Sequence, residues 1–326
     1  MRLPIPLFTA LAVCTVPAFA AVEVKQEDGK VTMTAGGKLL TEYHYGDAAH
    51  TYFYPLIGPG GARMTRDWPM KDTPGEDHDH PHHRSLWFAH GLVNGVDFWS
   101  EAASHGDKVP KIPVGRIEHE KFEEVGGGDF AGTISARLKW VAPDGSVPLR
   151  SVQTFTEAVT PGEERIIDFT VKLEAQDKDV IFGDTKEGTM AIRIAESMRL
   201  LGTDKKPGAG KIADSAGDVD GKVWGKKAGW VDYSGPVDGK VVGIAIFDSP
   251  KNPRHPTRWH ARDYGLFAAN PFCEREMDET QPKGAGDFKL AAGQSVTFSY
   301  RIILHEGDAV QAKIAERFAE FSAAAK

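Results

Sequence analysis

Cysteine is almost missing from this chain: Cys14 and Cys273 are the only two. Cys14 falls in an N-terminal stretch with the marks of a secretory leader. Arg2 supplies the positive end, Leu3 to Val16 an apolar run, and Ala18-Phe19-Ala20 a small-x-small cleavage site. Val13 stands where a lipoprotein signal needs a small residue, so cleavage after Ala20 is the expectation. The product would be exported, periplasmic or secreted. With one cysteine left, an intramolecular disulfide is excluded, and stability must come from the core. About 300 residues suffice for that, and residues 21–326 read as a single domain.

Long apolar runs are missing as well. After the leader none reaches the roughly eighteen residues that a membrane helix needs, so no membrane span is expected. Basic runs are absent, and 39 basic against 46 acidic residues give a net charge of −7. Such a balance argues against nucleic acid as a partner. No Walker loop, nucleophile elbow or C-x-x-C pair occurs. Cys273, led in by Asn270-Pro271-Phe272 with no histidine beside it, reads as a small core residue.

What is present is β patterning. Val22-Glu23-Val24 and Val31 to Thr34 alternate around an Asp28-Gly29 turn, as a hairpin would. Leu39–Tyr45, Thr51–Ile57, Arg116–Glu123, Phe130–Val141, Ser151–Val159, Arg165–Glu174, Val241–Phe247, Tyr264–Ala268 and Ser295–Leu304 continue the series. Gly- and Pro-rich breaks separate them. Residues 202–229, rich in Gly, Lys and Asp, read as an exposed excursion. Only the C-terminus has helical periodicity: Asp308 as cap, Gln311 three residues on, and Val310, Ile314, Phe318 and Phe321 on one face. Strands followed by one helix imply an all-β protein, a large antiparallel β-sandwich with a C-terminal helix.

Histidine is concentrated. Five of twelve lie between His78 and His90, in Asp77-His78-Asp79-His80-Pro81-His82-His83-Arg84-Ser85-Leu86-Trp87-Phe88-Ala89-His90. This run ends a long irregular stretch, Arg63 to His83, and structureless loops of that length tend to be functional. Two chemistries fit. In an extended segment His78, His80 and His82 share a face and could hold a divalent metal such as Zn, Fe or Mn. Alternatively no cofactor is required, and His82 or His83 moves protons as acid or base. Pro81 distorts the segment, and no carboxylate follows the histidine pair at metal-site spacing. Arg84 would position substrate. Trp87, in an apolar strand, reads as core, and His90 has the opposite parity. Asn94, Asp97, Trp99 and Glu101 follow closely.

A second cluster, Asn252 to Gly265, contains Trp259, His260, Arg262 and Asp263 in a Pro-punctuated loop, with His260 and Arg262 in phase. A third, Asp184 to Arg193, offers Glu187 as catalytic carboxylate beside a glycine that permits close backbone approach, with Arg193 in phase. The plainer alternatives are a solvated His/Asp loop, an Arg-rich surface loop and a cross-strand Glu–Arg pair.

The motifs His80 to Phe88, Asn94-Gly95-Val96-Asp97-Phe98-Trp99, Thr185-Lys186-Glu187-Gly188 and Arg258 to Phe272 resemble those of a bacterial PmoA-like family. That domain of unknown function was historically labelled methane oxygenase. Ser85 stands where such members often have Gly. The resemblance implies a β-supersandwich similar to galactose mutarotases, in which histidines and a carboxylate line a concave sheet face and move protons on a sugar ring. Their motifs do not match these, so no individual role carries over.

The expectation is an exported carbohydrate-active protein doing acid–base chemistry of epimerase, lyase or hydrolase type on a small-molecule or oligosaccharide substrate. His82, His83, Glu187 and His260 would be catalytic. Arg84, His90, Asn94, Arg193, Trp259, Arg262, Asp263 and Asn270 would position substrate. A metal-dependent enzyme and a non-catalytic glycan-binding protein are the alternatives.

Overall fold

The computed structural model describes residues 20–46 and 48–325. The leader reading therefore lies outside the described residues, Ala20 excepted. Two eight-stranded sheets dominate. The first runs, edge to edge, β1 (Val22–Glu27), β2 (Lys30–Ala35), β3 (Lys38–His44), β4 (Tyr52–Phe53), β5 (Leu86–His90), β11 (Gly188–Arg193), β16 (Leu266–Asn270) and β15 (Arg258–Ala261). The second runs β12 (Lys211–Asp214), β13 (Trp230–Val237), β14 (Lys240–Asp248), β18 (Ser295–Glu306), β9 (Arg165–Ala175), β8 (Leu149–Val159), β7 (Gly132–Val141) and β6 (Arg116–Gly126). A short pair, β10 (Val180–Phe182) with β17 (Phe288–Leu290), stands apart. Every ladder between these strands is antiparallel. The expected all-β sandwich is therefore the fold.

Period-two patterning explains the packing. In β8 and β9 alternate residues are buried, with Phe155, Ile167, Phe169, Val171 and Leu173 on the inner face. Phe53 of the first sheet stacks on Phe155 at 4.0 Å, and Phe88 meets Trp140 edge-on at 6.4 Å. In contrast, β5, β11 and β16 are buried at every residue. Both faces are covered, one by the second sheet and the other by loops.

Some local expectations need correction. The hairpin around Asp28-Gly29 forms with the expected turn, but the run at Thr51–Ile57 is a strand only at Tyr52–Phe53. The excursion at 202–229 contains β12, and the cluster at 252–265 contains β15 rather than loop alone. Asp308 does accept from the amides of Val310 and Gln311, but a left-handed Lys313 delays helix α1 to Ile314–Ala324. Val310 is consequently 84% exposed instead of packed, whereas Ile314, Phe318 and Phe321 join Trp230, Phe247 and Ile303. Cys273 is buried in the core, and burial pushes its thiol up to about 12. Among the described residues no helix is long and apolar enough to cross a membrane.

Among the polar residues buried on the inner face of β8, one is a carboxyl. Glu157 on the inner face of β8 is 1% exposed, and burial pushes its carboxyl up to about 8, with Arg165 pulling the other way. Between the ordinary carboxylate range and about pH 8, the folded chain holds a proton that the unfolded chain has released. Stability from this group is therefore lost as pH rises through that window. Glu157→Gln is expected to gain on the wild type by roughly a few degrees of Tm between pH 5 and pH 8. Thermal unfolding at the two pH values checks it.

Candidate functional site

The loop-covered face of the first sheet carries a row of directly paired residues: Tyr52, Trp87, Ala191, Ala268 and His260, one from each of β4, β5, β11, β16 and β15. Directly opposed residues point to the same face, so a tryptophan and a histidine flank two alanines. Four segments rise around this row. They are the loop at 66–84 before β5, residues 97–105 after it, residues 184–187 before β11, and the turn at 262–265 between β15 and β16. Together they enclose an open pocket of about 380 Å³, lined by residues that include His80, His82, Glu187, His260, Arg262 and Tyr264.

The loop at 66–84 is organised by arginine. Arg66, fully buried, donates from Nε to the Trp68 carbonyl, from Nη1 to the Asp77 carbonyl and the Asp79 carboxylate, and from Nη2 to the His80 carbonyl. Arg193, equally buried in β11, donates to the same Asp79 oxygen at 2.9 Å and to His83 Nδ1 at 3.2 Å. Burial opposes ionisation of Asp79, but the His80 hydrogen bond and both guanidiniums hold its carboxyl well below the usual range. The same carboxylate accepts from His80 Nδ1 at 2.7 Å.

These partners fix the imidazoles. Arginine can only donate, so His83 Nδ1 is an acceptor and its proton sits on Nε2, where it meets no partner among the described residues. His260 Nδ1 lies 2.9 Å from the Lys186 carbonyl, an acceptor only, so the proton is on Nδ1 and the Nε2 lone pair is left over. That Nε2 is buried and has no hydrogen-bond partner among the described residues. Burial, helped by Arg262, holds His260 down at about 3; burial, helped by His80, does the same for His82. Burial and the neighbouring His82 hold His83 well below the usual imidazole range as well. All three rings are neutral at pH 7.

The segment before β11 is held from β15, from β16 and from the residue that follows β5. His260 takes the Lys186 carbonyl, Asn270 donates to the Thr185 carbonyl at 2.9 Å, and the Gly91 amide donates to the Glu187 carbonyl at 2.7 Å. Glycine is required at both ends of this contact. A Cβ on Gly91 would lie 2.7 Å from Glu187 Cβ, and one on Gly188 would lie 2.5 Å from His90 Nδ1. Glu187 itself is half-exposed and pairs with Lys186 at 3.2 Å. Burial works against the Lys186 ammonium, yet Glu187 and Glu276 raise it overall. Burial pushes Tyr264 up to about 12.

Of the residues expected to be catalytic, His82, Glu187 and His260 line the pocket. His83 does not; it lies beneath, stacked between His80 (4.7 Å) and Trp87 (5.3 Å). Of those expected to position substrate, only Arg262 lines it. Arg84 is held by Glu101 through two hydrogen bonds of 2.7 and 3.0 Å. His90 faces the inter-sheet core, bonded to the Gly183 carbonyl and packed on Phe182 and Phe272. Asn94 binds the backbone of Asp179 and Ile181 in a separate groove. Trp259 is core, its Nε1 donating to the Ala228 carbonyl. Arg193 and Asn270 support the pocket from below, and Asp263 lines a neighbouring groove.

The metal triad is not assembled. His78 stacks on Trp68 at 3.9 Å and bonds Asp72, away from His80 and His82, whose rings stand 5.8 Å apart. Among the described residues no group of three or more His, Cys, Asp or Glu is placed to hold a metal ion. Sequence reasoning gave no role to Lys186, Ser100 or Tyr264. Tyr264 shares strand parity with His260 and Arg262, a signal that could have found it.

Fold and pocket together define an all-β sandwich with a histidine-lined site on one sheet face. The chain belongs to a family of unknown function, DUF6807, whose model matches residues 30–319. This corrects the PmoA-like resemblance: the motifs behind it lie inside the matched region, and the family's description names no oxygenase. No curated protein matches the chain. Among solved structures, a GalM/aldose epimerase homologue from C. elegans aligns over 89% of this chain and 99% of its own, at 10% identity and a TM-score of 0.32. A likeness at that level carries no argument about chemistry.

Three outcomes are expected. Asp79→Asn leaves two buried guanidiniums without their carboxylate and should cost roughly 3–5 kcal/mol in urea unfolding. Asp72→Asn, whose partner His78 is exposed, should fall within about 0.5 kcal/mol of wild type. In 15N NMR, His260 should stay a neutral Nδ1–H tautomer down to about pH 5; a midpoint near 6.5 would contradict the burial described.

Proposed function

We propose that this protein is an enzyme performing acid–base chemistry on a sugar-class substrate in the pocket between the loop at 66–84 and the turn at 262–265. The observation that carries the reading is His260, a neutral ring whose Nδ1 proton is committed to a backbone carbonyl. The ring lines the pocket that Glu187 also lines, and its buried Nε2 lone pair has no hydrogen-bond partner among the described residues. In this role Nε2 accepts a proton from the substrate, and a second group returns one. In this reading His80, whose Nδ1 bonds Asp79, or Glu187 supplies that proton. His82 completes the rim, and Arg262 and Lys186 supply fixed donors for hydroxyl or carboxylate oxygens.

The carboxylates favour some reactions over others. Glycoside hydrolysis ordinarily uses two working carboxyl groups. Here Asp97, the other pocket carboxylate, is committed to the amides of Trp99 and Ser100 and to the Ser100 hydroxyl. One carboxylate held by backbone amides and one paired, among the described residues, only with the side chain of Lys186, beside neutral imidazoles, support isomerase- or lyase-type proton transfer. The leader-like pattern at residues 1–20 supports an exported location for it.

The test is turnover of a panel of aldoses, uronates and disaccharides in D2O, followed by 1H NMR. Wild type should exchange or rearrange at least one class. His260→Asn and Glu187→Gln should each slow this about 10²–10⁴-fold while leaving sugar binding measurable. Saturable binding with no turnover, or turnover within a factor of about three of wild type in both variants, would overturn the assignment.

A further inference from the structure

A second groove of about 330 Å³ abuts the pocket, lined by Gly221, Trp224, Ala261, Arg262 and Asp263. Arg262 belongs to both walls. Its guanidinium lies over the Trp224 ring at 5.6 Å and over the Tyr264 ring at 5.4 Å. No carboxylate among the described residues pairs with it. One arginine in contact with two aromatic rings is thus shared by a chamber lined by His260 and Glu187 and one lined by an indole.

The groove is built, not incidental. Arg262 to Gly265 form a tight turn, closed by the Arg262 amide to the Leu266 carbonyl at 2.8 Å and the Gly265 amide to the Arg262 carbonyl at 3.1 Å. Tyr264 lines the first chamber, Asp263 the second, and Arg262 both. Trp224 arrives from the distant excursion. Its neighbours pair with the free edge of β15: the Gly225 amide donates to the Trp259 carbonyl at 2.8 Å, the Trp259 amide to the Lys226 carbonyl at 3.0 Å, and Arg258 Nη1 to the Gly225 carbonyl at 2.7 Å. The indole is half-buried, and the Asp263 side chain is exposed.

We infer that Trp224, Asp263 and Arg262 form a second saccharide subsite contiguous with the first, so that the substrate is a glycoside of two or more rings. The inference rests on the sugar-class reading proposed for the first pocket. An indole face takes the apolar face of a ring, while a carboxylate and a guanidinium take its hydroxyls, the usual division of labour in a ligand site. Each groove lies at the small end of the ligand-site range, which suits one ring apiece with the linkage crossing Arg262.

The test is isothermal titration of wild type, Trp224→Ala and Asp263→Ala with aldohexoses and with their α- and β-linked disaccharides. Thermal unfolding of each variant confirms that it is folded. Wild type should bind a disaccharide more tightly than either component. The disaccharide-to-monosaccharide affinity ratio should fall roughly tenfold in Trp224→Ala, the scale of one aromatic contact, and by less in Asp263→Ala. If disaccharides bind no better than monosaccharides, or the ratio is unchanged in both variants, the second subsite is wrong while the first pocket's reading stands. If wild type binds no sugar of either size, both readings fall.

Discussion

Two guanidiniums taken out of water and set against one carboxylate are the constraint on which this site depends. Arg66 and Arg193 are fully buried, and each reaches Asp79. Buried charge is tolerated only when paired and hydrogen-bonded. Arg66 meets that demand by also drawing in three carbonyls from Trp68, Asp77 and His80, which determines how the irregular loop is folded. Arg193 projects from the central strand β11 and nails the loop to the sheet. Glu76, which accepts from the Asp67 and Trp68 amides, the Arg199–Asp77 pair and the Ser104 hydroxyl at His82 Nδ1 complete the placement of the segment.

From that anchor a column of rings rises through the site. Tyr264 stacks on His80 at 5.2 Å, His80 on His83, and His83 on Trp87 of the sheet row. The outermost rings belong to the pocket and the innermost to the core, so the imidazoles are not free to swing. Orientation comes from hydrogen bonds to groups that are themselves fixed, and burial keeps His82, His83 and His260 neutral. Pocket and fold therefore cannot be separated: the histidine that packs, His83, is adjacent in sequence to the one that lines, His82.

Much of the fold was legible, since alternation and turn chemistry need only neighbours in sequence. β13 was not. Its Ser234-Gly235-Pro236 reads as a break, yet Pro236 pairs near the hairpin end, where the strand tolerates it. In the site, composition found the right segments but not the direction of each side chain. Trp259 could have been assigned to the core, because its neighbour His260 must face the opposite way. Arg84 could not, because Glu101, which binds it, is set by tertiary packing. Nor does the alternation of His78, His80 and His82 survive. Pro81 and a left-handed His80 break the extended run, so spacing no longer decides which rings meet.

The pairing of residues 225–228 with β15 has a consequence beyond any ligand. An open sheet edge offers a row of unused amides and carbonyls to any passing extended chain. Here that edge is capped by the protein's own excursion, through Gly225, Lys226 and Ala228. At the opposite edge Val22 of β1 exchanges hydrogen bonds with Gly128, which leads into the second sheet, and Glu23, Lys25 and Glu27 carry charge along it. The first sheet is thus covered along one edge by a stretch of its own backbone, and at the other edge it is guarded by a single two-way bridge and a row of charges.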